Sequence, residues 1–333
     1  MRAPAFWNIR HGRDAAPMLR LLLTPLGWLY GASVARRLAT ATPLKLSIPV
    51  VSVGNISVGG TGKSPLASLV QQELVRLVGK PVAIVSRGYG GILSGPICID
   101  PAIHSARDVG DEPLMLAADG PVIVARQRSA GGALAVALGM GAIVLDDAHQ
   151  NPALVQDLSI VVVDGQAGFG NGRLVPAGPL REAARKGLTR ADLVIVMGAI
   201  SQDCVEDLVS YQGPLLHASL VAPPIQIDGK VLGFCGIGRP EKFDATLRDL
   251  ELDVADMYPF PDHHCYSKTD LDRLTKVAKV YNATLVTTQK DFVRLPPDFA
   301  ATVRVIPVTA TLDDPAALRA ILVHTLDRLR LRD

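Results

Sequence analysis

Short apolar runs along this chain alternate with stretches in which apolar residues recur every three or four positions. Runs rich in β-branched residues lie at 46–53, 82–85, 121–125, 142–145, 160–163 and 193–196, each the length of a strand buried on both faces. After the first run the spacing turns helical, with Leu66, Leu69, Val70, Leu74, Leu77 and Val78 on one face as far as Gly79. This alternation predicts an α/β fold, a mostly parallel sheet with helices on both faces. From 216 to 224 the chain is extended and proline-bearing and reads as a hinge. A second, smaller α/β domain is then predicted from an apolar run at 231–235, a helix near 242–250, the segment 260–266, a helix near 268–281 and a run at 284–288. A last helical pattern at 315–331 packs back on the first domain. The expected organisation is an N-terminal segment at 1–40, a first domain at 41–218 completed by 310–333, and a smaller domain at 219–309.

The junction between the first strand and the first helix carries the strongest chemistry. Residues 54–65 read Gly-Asn-Ile-Ser-Val-Gly-Gly-Thr-Gly-Lys-Ser-Pro, a phosphate-binding loop. In such a loop the N–H groups of Ser57, Val58, Gly59, Gly60, Thr61 and Gly62 and the positive end of the next helix hold phosphates. Lys63 adds a point charge and the Ser64 hydroxyl ligates Mg²⁺. The strict G-x-x-x-x-G-K-[ST] form wants glycine where the chain has Ser57. A ligand-free glycine turn is the competing reading, but it has no reason to end in Gly-Lys-Ser. Pro65 falls in the first helical turn, where a missing N–H is tolerated. The predicted cofactors are ATP and Mg²⁺.

Composition changes the picture at one end of the chain only. With 20% charged and 48% apolar residues the chain is globular, and a net charge of +2 carries no nucleic-acid signature. Residues 1–45 hold seven basic side chains (Arg2, Arg10, Arg13, Arg20, Arg36, Arg37, Lys45) and one acid, Asp14, so this segment carries +6 and leaves −4 for the remainder. Within it lies an uncharged run of 15 residues, 21–35, containing Trp28 and Tyr30 and flanked by Arg20, Arg36 and Arg37. A spanning helix needs roughly 20 apolar residues. Apolar positions 19, 22, 23, 26, 29 and 30 share a helical face, which suits an amphipathic helix in the headgroup region. A cleaved signal peptide ending near Ser33, Val34 and Ala35, and an ordinary core helix, are the other readings. Pro25 is placed to start or bend the helix. The four cysteines, Cys98, Cys204, Cys235 and Cys265, are scattered, which argues against a zinc site or disulfide framework and fits a reducing compartment.

Further clusters follow the predicted strands. Asp146 and Asp147 close the run at 142–145, where a carboxylate holds Mg²⁺ opposite a loop serine; solvated turn acids are the alternative. Asp111 and Glu112 stand at a possible helix start, and Asp111 there is also a plausible N-cap. Arg181 and Glu182 read equally as a surface ion pair. Asp262, His263 and His264 offer acid–base chemistry, against an ordinary loop with two exposed histidines.

The shared order of these motifs resembles the lipid A 4′-kinase (tetraacyldisaccharide 4′-kinase) family, over a span running from the N-terminal apolar helix to the Thr-Thr-Gln-Lys-Asp stretch at 287–291. It includes Ser-Arg-Gly-Tyr-Gly at 86–90, Gly-Asp-Glu-Pro at 110–113, Pro-Ala-Gly-Pro-Leu-Arg-Glu at 176–182 and Phe-Pro-Asp-His at 260–263. The resemblance implies a P-loop NTPase-like kinase of two α/β domains joined by a hinge. ATP would phosphorylate the 4′-hydroxyl of an acylated glucosamine disaccharide 1-phosphate. It further implies phosphate and Mg²⁺ binding by Lys63 and Ser64, metal contacts at Asp147, Glu182 and Asp146, an acid–base dyad of Asp111 with His263, and substrate contacts at Arg87, Glu112, Gln150 and Arg181. The implied setting is the cytoplasmic face of the bacterial inner membrane, with the lipid substrate and the membrane surface as partners, no nucleic acid, and a monomer. The family's Asp-Asp-Gly-aromatic-Gln-His run is Asp146, Asp147, Ala148, His149, Gln150, Asn151 here. Ala148 tolerates positive φ less well than glycine, so an altered backbone is expected there. A membrane-bound nucleotide switch or assembly ATPase is the alternative from another class, and a soluble small-sugar kinase a third.

Overall fold

The computed structural model describes residues 4–331; Arg2, counted above in the basic segment, lies outside the described residues. A large sheet is built from β1 (Val50–Gly54), β2 (Val82–Ser86), β3 (Ile97–Cys98), β4 (Val122–Val124), β5 (Ala142–Asp146), β6 (Leu158–Asp164), β7 (Leu193–Met197) and β8 (Leu215–Val221). A smaller sheet contains β9 (Lys230–Cys235), β10 (Asp253–Pro259), β11 (Ala283–Thr288) and β12 (Val303–Ile306), after which β13 (Thr309–Leu312) returns to the large sheet. The orders are β13-β8-β7-β6-β1-β5-β2-β4-β3 and β10-β9-β11-β12. All ladders are parallel except β3 on β4 and β13 on β8. The α/β fold with helices on both faces is therefore as predicted.

The sheet order places the chemistry. β1 lies between β5 and β6, with Val53 opposite Asp146 on one side and Ile160 on the other. The carboxyl ends of β1, β2, β5 and β6 thus share one edge, where ligands bind in such sheets. Leu66, Val70 and Leu74 of the helix Lys63–Val78 cover one face together with Leu318, Leu322 and Leu326 of the C-terminal helix Pro315–Arg330. Phe169, Leu180, Leu188 and Leu208, and separately Ala135 and Leu154, cover the other. Every residue of β1, β2, β4, β5, β6 and β7 is buried, which is why their sequences read as continuous apolar runs.

The predicted hinge is corrected. Residues 215–221 form β8 inside the large sheet, paired to β7 and to β13. The first domain therefore runs to Val221 rather than 218, resumes at Thr309 rather than 310, and the crossing lies at 222–229. Half-buried strands near a sheet edge keep polar residues such as His217 and Ser219, and the prolines beyond them gave an extended strand the look of a linker.

The N-terminal helix Pro17–Thr40 also departs from expectation. It is 24 residues long and passes through Pro25 without ending, about 36 Å at 1.5 Å per residue. Its apolar side chains are not confined to one face: Leu21, Leu22, Trp28 and Leu29 are 67%, 74%, 68% and 69% exposed, while Arg20, Gly27 and Val34 are buried. The core-helix reading does not fit that exposure. Contact with the body follows a stripe of small residues, where a Cβ on Gly27 would lie 3.2 Å from the Leu174 carbonyl oxygen and one on Gly31 would lie 2.6 Å from Leu174 Cδ1. Arg20 is buried against the carbonyls of Phe6, Ile9 and Arg10, which accept from its guanidinium. Arg10 pairs with Asp203 and Asp207, and Arg37 donates to the Gln150 carbonyl. Much of the segment's positive charge is thus already engaged within the fold.

Candidate active site

The phosphate loop hangs between β1 and the helix Lys63–Val78, whose N-cap Gly62 takes φ +83°. A glycine is required there, because a Cβ would also lie 2.9 Å from Met197 Cγ. The loop is held from outside by the segment 179–181: Val58 N–H donates to the Pro179 carbonyl at 2.7 Å and Arg181 N–H to that of Ile56 at 2.8 Å. From beneath, Gln150 Nε2 donates to the Asn55 carbonyl at 2.8 Å and Asn55 Nδ2 to Thr61 Oγ1 at 3.3 Å. Gly59 and Gly60 face open space, and the first helical turn leaves its N–H groups without carbonyl partners of its own. This is a supported cradle of donors for anionic oxygens.

Two carboxylates face it. Asp147 accepts from Arg181 Nη1 on both oxygens at 2.9 Å and lies 3.7 Å from Lys63 Nζ. Burial pushes its carboxyl up, but Lys63 and Arg181 outweigh that and hold it below the usual range. Asp146 accepts from Ser86 Oγ at 3.1 Å, while its main-chain carbonyl takes Arg128 Nη2 at 2.7 Å. Burial, then the charges of Glu112 and Asp147, raise the Asp146 carboxyl to about 6. The backbone change expected at Ala148 falls one residue earlier: Asp147 takes φ +50° and Ala148 is fully buried at ordinary φ. His149 occupies the position of the family's aromatic, with Nδ1 on Ser159 Oγ and Nε2 on the Gly187 carbonyl, each at 3.0 Å. Burial lowers its basicity strongly, so it serves as a neutral packing group.

The other half of the site joins the domains. Asp111 opens the short helix Asp111–Leu116 and is 6% exposed; its Oδ2 lies 2.8 Å from His263 Nδ1. Burial pushes the Asp111 carboxyl up, yet the His263 hydrogen bond and the charges of Lys290, His263 and Arg294 hold it below its ordinary value. His263, at φ +58°, is turned into the cleft beside the exposed ring of Tyr89, centroids 5.9 Å apart. His264 faces elsewhere, bonded to Asp270 at 3.1 Å and stacked on Phe260. Lys290 Nζ lies 3.2 Å from His263 Nε2, 3.1 Å from Glu112 Oε1 and 3.6 Å from Asp262 Oδ1. Arg294 Nε sits 3.5 Å from Asp111 Oδ2.

Two of the expected site residues already have partners within the fold. Glu182, expected on the metal, is buried and bound by Arg190 through both oxygens at 2.8 and 2.7 Å, and it accepts from Gln150 Nε2 at 3.0 Å. Gln150, expected on the substrate, is spent on Glu182 and the Asn55 carbonyl. Both act as buttresses under the loop. Arg87 stays exposed at the end of β2, and Glu112 carries Lys290. Sequence reading gave no role to Lys290, Arg294, Ser86 or Arg128; Lys290 did lie in the 287–291 stretch, but ion networks have no spacing rule to reveal them.

Among the described residues no group of three or more His, Cys, Asp or Glu side chains could hold a metal alone. That suits Mg²⁺, which is held by one or two carboxylates together with phosphate oxygens and water. Ser64, Asp146 and Asp147 are hard oxygen donors at the loop, so the residues present fit the ion.

A second tie bridges the domains. Asp164 at the end of β6 is 3% exposed and accepts from Arg239 Nη2 at 2.7 Å and Lys242 Nζ at 3.2 Å, both from the smaller domain. Burial raises its carboxyl, but Arg239, the Ala167 N–H and Lys242 together hold it below 3.8. A depressed carboxylate contributes stability that is present above its unfolded value and lost as pH falls through the lower folded one. Asp164→Asn is therefore expected to destabilise the protein by about 1–2 kcal/mol at pH 7, a figure kept low because the partners are partly exposed. The deficit should shrink in thermal melts as pH falls below the ordinary carboxylate range, and one independent of pH would refute this origin.

A family model described as tetraacyldisaccharide-1-P 4′-kinase matches residues 19–327. The chain is 46% identical over 334 residues to the tetraacyldisaccharide 4′-kinase of Maricaulis maris, covering 98% of this chain and 97% of that one. It is 46% identical over 329 residues to that of Caulobacter vibrioides, covering 96% and 97%. The crystal structure of LpxK from Aquifex aeolicus in complex with ATP superposes with a TM-score of 0.75 at 26% identity, over 92% of this chain and 99% of the other.

Proposed function

The chain belongs to the tetraacyldisaccharide-1-P 4′-kinase family, and from that premise we propose how its own residues carry out ATP-dependent phosphorylation in lipid A biosynthesis. The observation that carries the reading is the hydrogen bond of 2.8 Å between Asp111 and His263, which sets an imidazole from one domain over the nucleotide domain of the other. The phosphate loop and Lys63 bind the phosphates of ATP. Ser64, Asp146 and Asp147 would hold Mg²⁺, which would supply charge neutralisation at the phosphoryl oxygens. Arg181, on the far side of Asp147, orients that carboxylate. His263 Nε2 takes the proton of the 4′-hydroxyl as its oxygen bonds to the γ-phosphorus. The bond from that phosphorus to the β–γ bridging oxygen breaks, and ADP leaves with the electron pair. Asp111 stabilises the imidazolium so formed. A nucleotide switch has only to position water and has no use for a base facing a bulky alcohol, which counts against that alternative.

The substrate's acyl chains would cost about 0.8 kcal/mol per CH₂ to expose to water, so the reaction belongs at a bilayer surface. We place the protein as a monomer on the cytoplasmic face of the inner membrane, where ATP is available, with the exposed apolar helix Pro17–Thr40 in the lipid. Mass spectrometry of detergent-purified protein incubated with Mg²⁺-ATP and an acylated glucosamine disaccharide 1-phosphate tests the chemistry. One phosphoryl group gained on the distal sugar supports it; intact nucleotide binding with no gain refutes it. The membrane reading has its own test. Leu22→Glu with Leu29→Glu is expected to weaken flotation with vesicles containing phosphatidylglycerol by roughly tenfold or more, from the penalty of putting charge into lipid. Because both side chains are exposed, the melting temperature should not move, and unchanged flotation would remove the helix from membrane binding.

A further inference from the structure

We propose that Lys290 is a positioning residue for the base, fixing His263 in the neutral tautomer that carries its proton on Nδ1 and leaves Nε2 free to receive one. The inference rests on the kinase reading for its purpose, but on the local chemistry for its content. His263 Nδ1 faces the carboxylate of Asp111 at 2.8 Å, and a carboxylate below its ordinary value only accepts, so Nδ1 is the donor. Nε2 faces the ammonium of Lys290 at 3.2 Å. An ammonium has three protons and no lone pair. A proton on Nε2 would set one cationic donor against another, so the ammonium selects a ring whose Nε2 is an acceptor.

The consequence is specific to a histidine paired with a carboxylate. Asp111 meets Nδ1 at 2.8 Å and Asp262 Oδ2 lies 3.9 Å from Nε2, and a ring protonated on both nitrogens has no lone pair left to act as a base. Lys290 places its charge on the side on which the acceptor must arrive. Arg294 adds positive charge behind Asp111 at 3.5 Å, and Glu112 anchors Lys290 at 3.1 Å. Burial tends to strip Lys290 of its proton, but Glu112, Asp111 and Asp262 keep it firmly charged. When the acceptor hydroxyl binds, its oxygen–hydrogen bond replaces the ammonium at Nε2 while Glu112 retains the lysine beside it. Lys290 thus holds the place at Nε2 that the substrate hydroxyl takes.

The test reads the ring directly. In full-length protein labelled with ¹⁵N-histidine in detergent micelles, two-bond proton–nitrogen correlations distinguish the tautomers, and the His263 signals are those lost in His263→Gln. Wild type is expected to show a protonated Nδ1 and a bare Nε2 at pH 7.5. Lys290→Met should lose the bare Nε2 for a ring protonated on both nitrogens, because Asp111 still takes the Nδ1 proton, and Lys290→Arg should retain the wild-type signature. In steady state Lys290→Met should lower kcat by about 10²-fold, as expected for a misplaced reacting group. KM for ATP should change less than about twofold, and Lys290→Arg should recover most of the rate. If the methionine variant does not fold, Lys290→Gln removes the charge with a polar side chain and is read in the same way. A wild-type His263 signature in either uncharged variant overturns the proposal. Failure of the kinase reading shows separately, as wild-type protein that transfers no phosphoryl group whatever the state of the ring.

Discussion

Lys63→Ala is expected to lower kcat by about 10³-fold while the protein keeps its melting temperature. Two physical effects act together. Lys63 begins the helix Lys63–Val78, so its ammonium stands where the β- and γ-phosphates meet the positive helix end. In a site with little water a fixed charge stabilises the transferring phosphoryl group far better than solvent does. Its removal also leaves Asp147 with Arg181 alone, since Lys63 Nζ lies 3.7 Å from Asp147 Oδ1. Steady-state kinetics on the micellar substrate, with melting followed in parallel, provides the check. A kcat within a few-fold of wild type would take Lys63 out of the mechanism.

His263→Ala is expected to cost roughly 10²- to 10⁴-fold in kcat, the usual range for a general base. Asp111→Asn should fall in the same range for a different reason. An amide can donate as well as accept, so the pressure that keeps the proton on Nδ1 is lost. Because the two side chains act as one unit across 2.8 Å, the double variant should be little worse than the worse single one. Full additivity of the two losses would show that they work independently and would dismantle the dyad.

Much of the first domain was legible because its strands are buried on both faces. Six runs of the sequence correspond to β1, β2, β4, β5, β6 and β7, with ends shifted by a few residues. The strands that were missed lie at edges or are half-buried. β3 has two residues, β13 pairs at the rim, β8 keeps polar residues beside a proline pair, and β10 reads Asp-Val-Ala-Asp-Met-Tyr-Pro without a clear run. The site divides along similar lines. A loop whose function is carried by backbone amides must spell itself out in glycines, so residues 57–64 could be read directly, and the family resemblance supplied Asp111 and His263. A motif gives residue types but not which way they point, so the partners of Glu182 and Gln150 within the fold could not be read from it. Arg190, which claims Glu182, is eight residues further on and belongs to no pattern. Lys290 and Arg294 come to Asp111 and His263 only through tertiary packing.

The narrow seat of the N-terminal helix has a consequence for geometry at the bilayer. Gly27 and Gly31 let the helix touch Leu174 with almost no gap, and the carbonyls of Phe6, Ile9 and Arg10 grip Arg20 near its start. Leu174 belongs to the same stretch of chain as Pro179 and Arg181, which clasp the phosphate loop. In the proposed setting, with the helix bedded in lipid, the protein would work as a fixed-height gauge, the reacting phosphorus standing at a set distance above the acyl chains. A hydroxyl on the sugar ring far from the 1-phosphate would then be told from its neighbours by altitude as well as by contact.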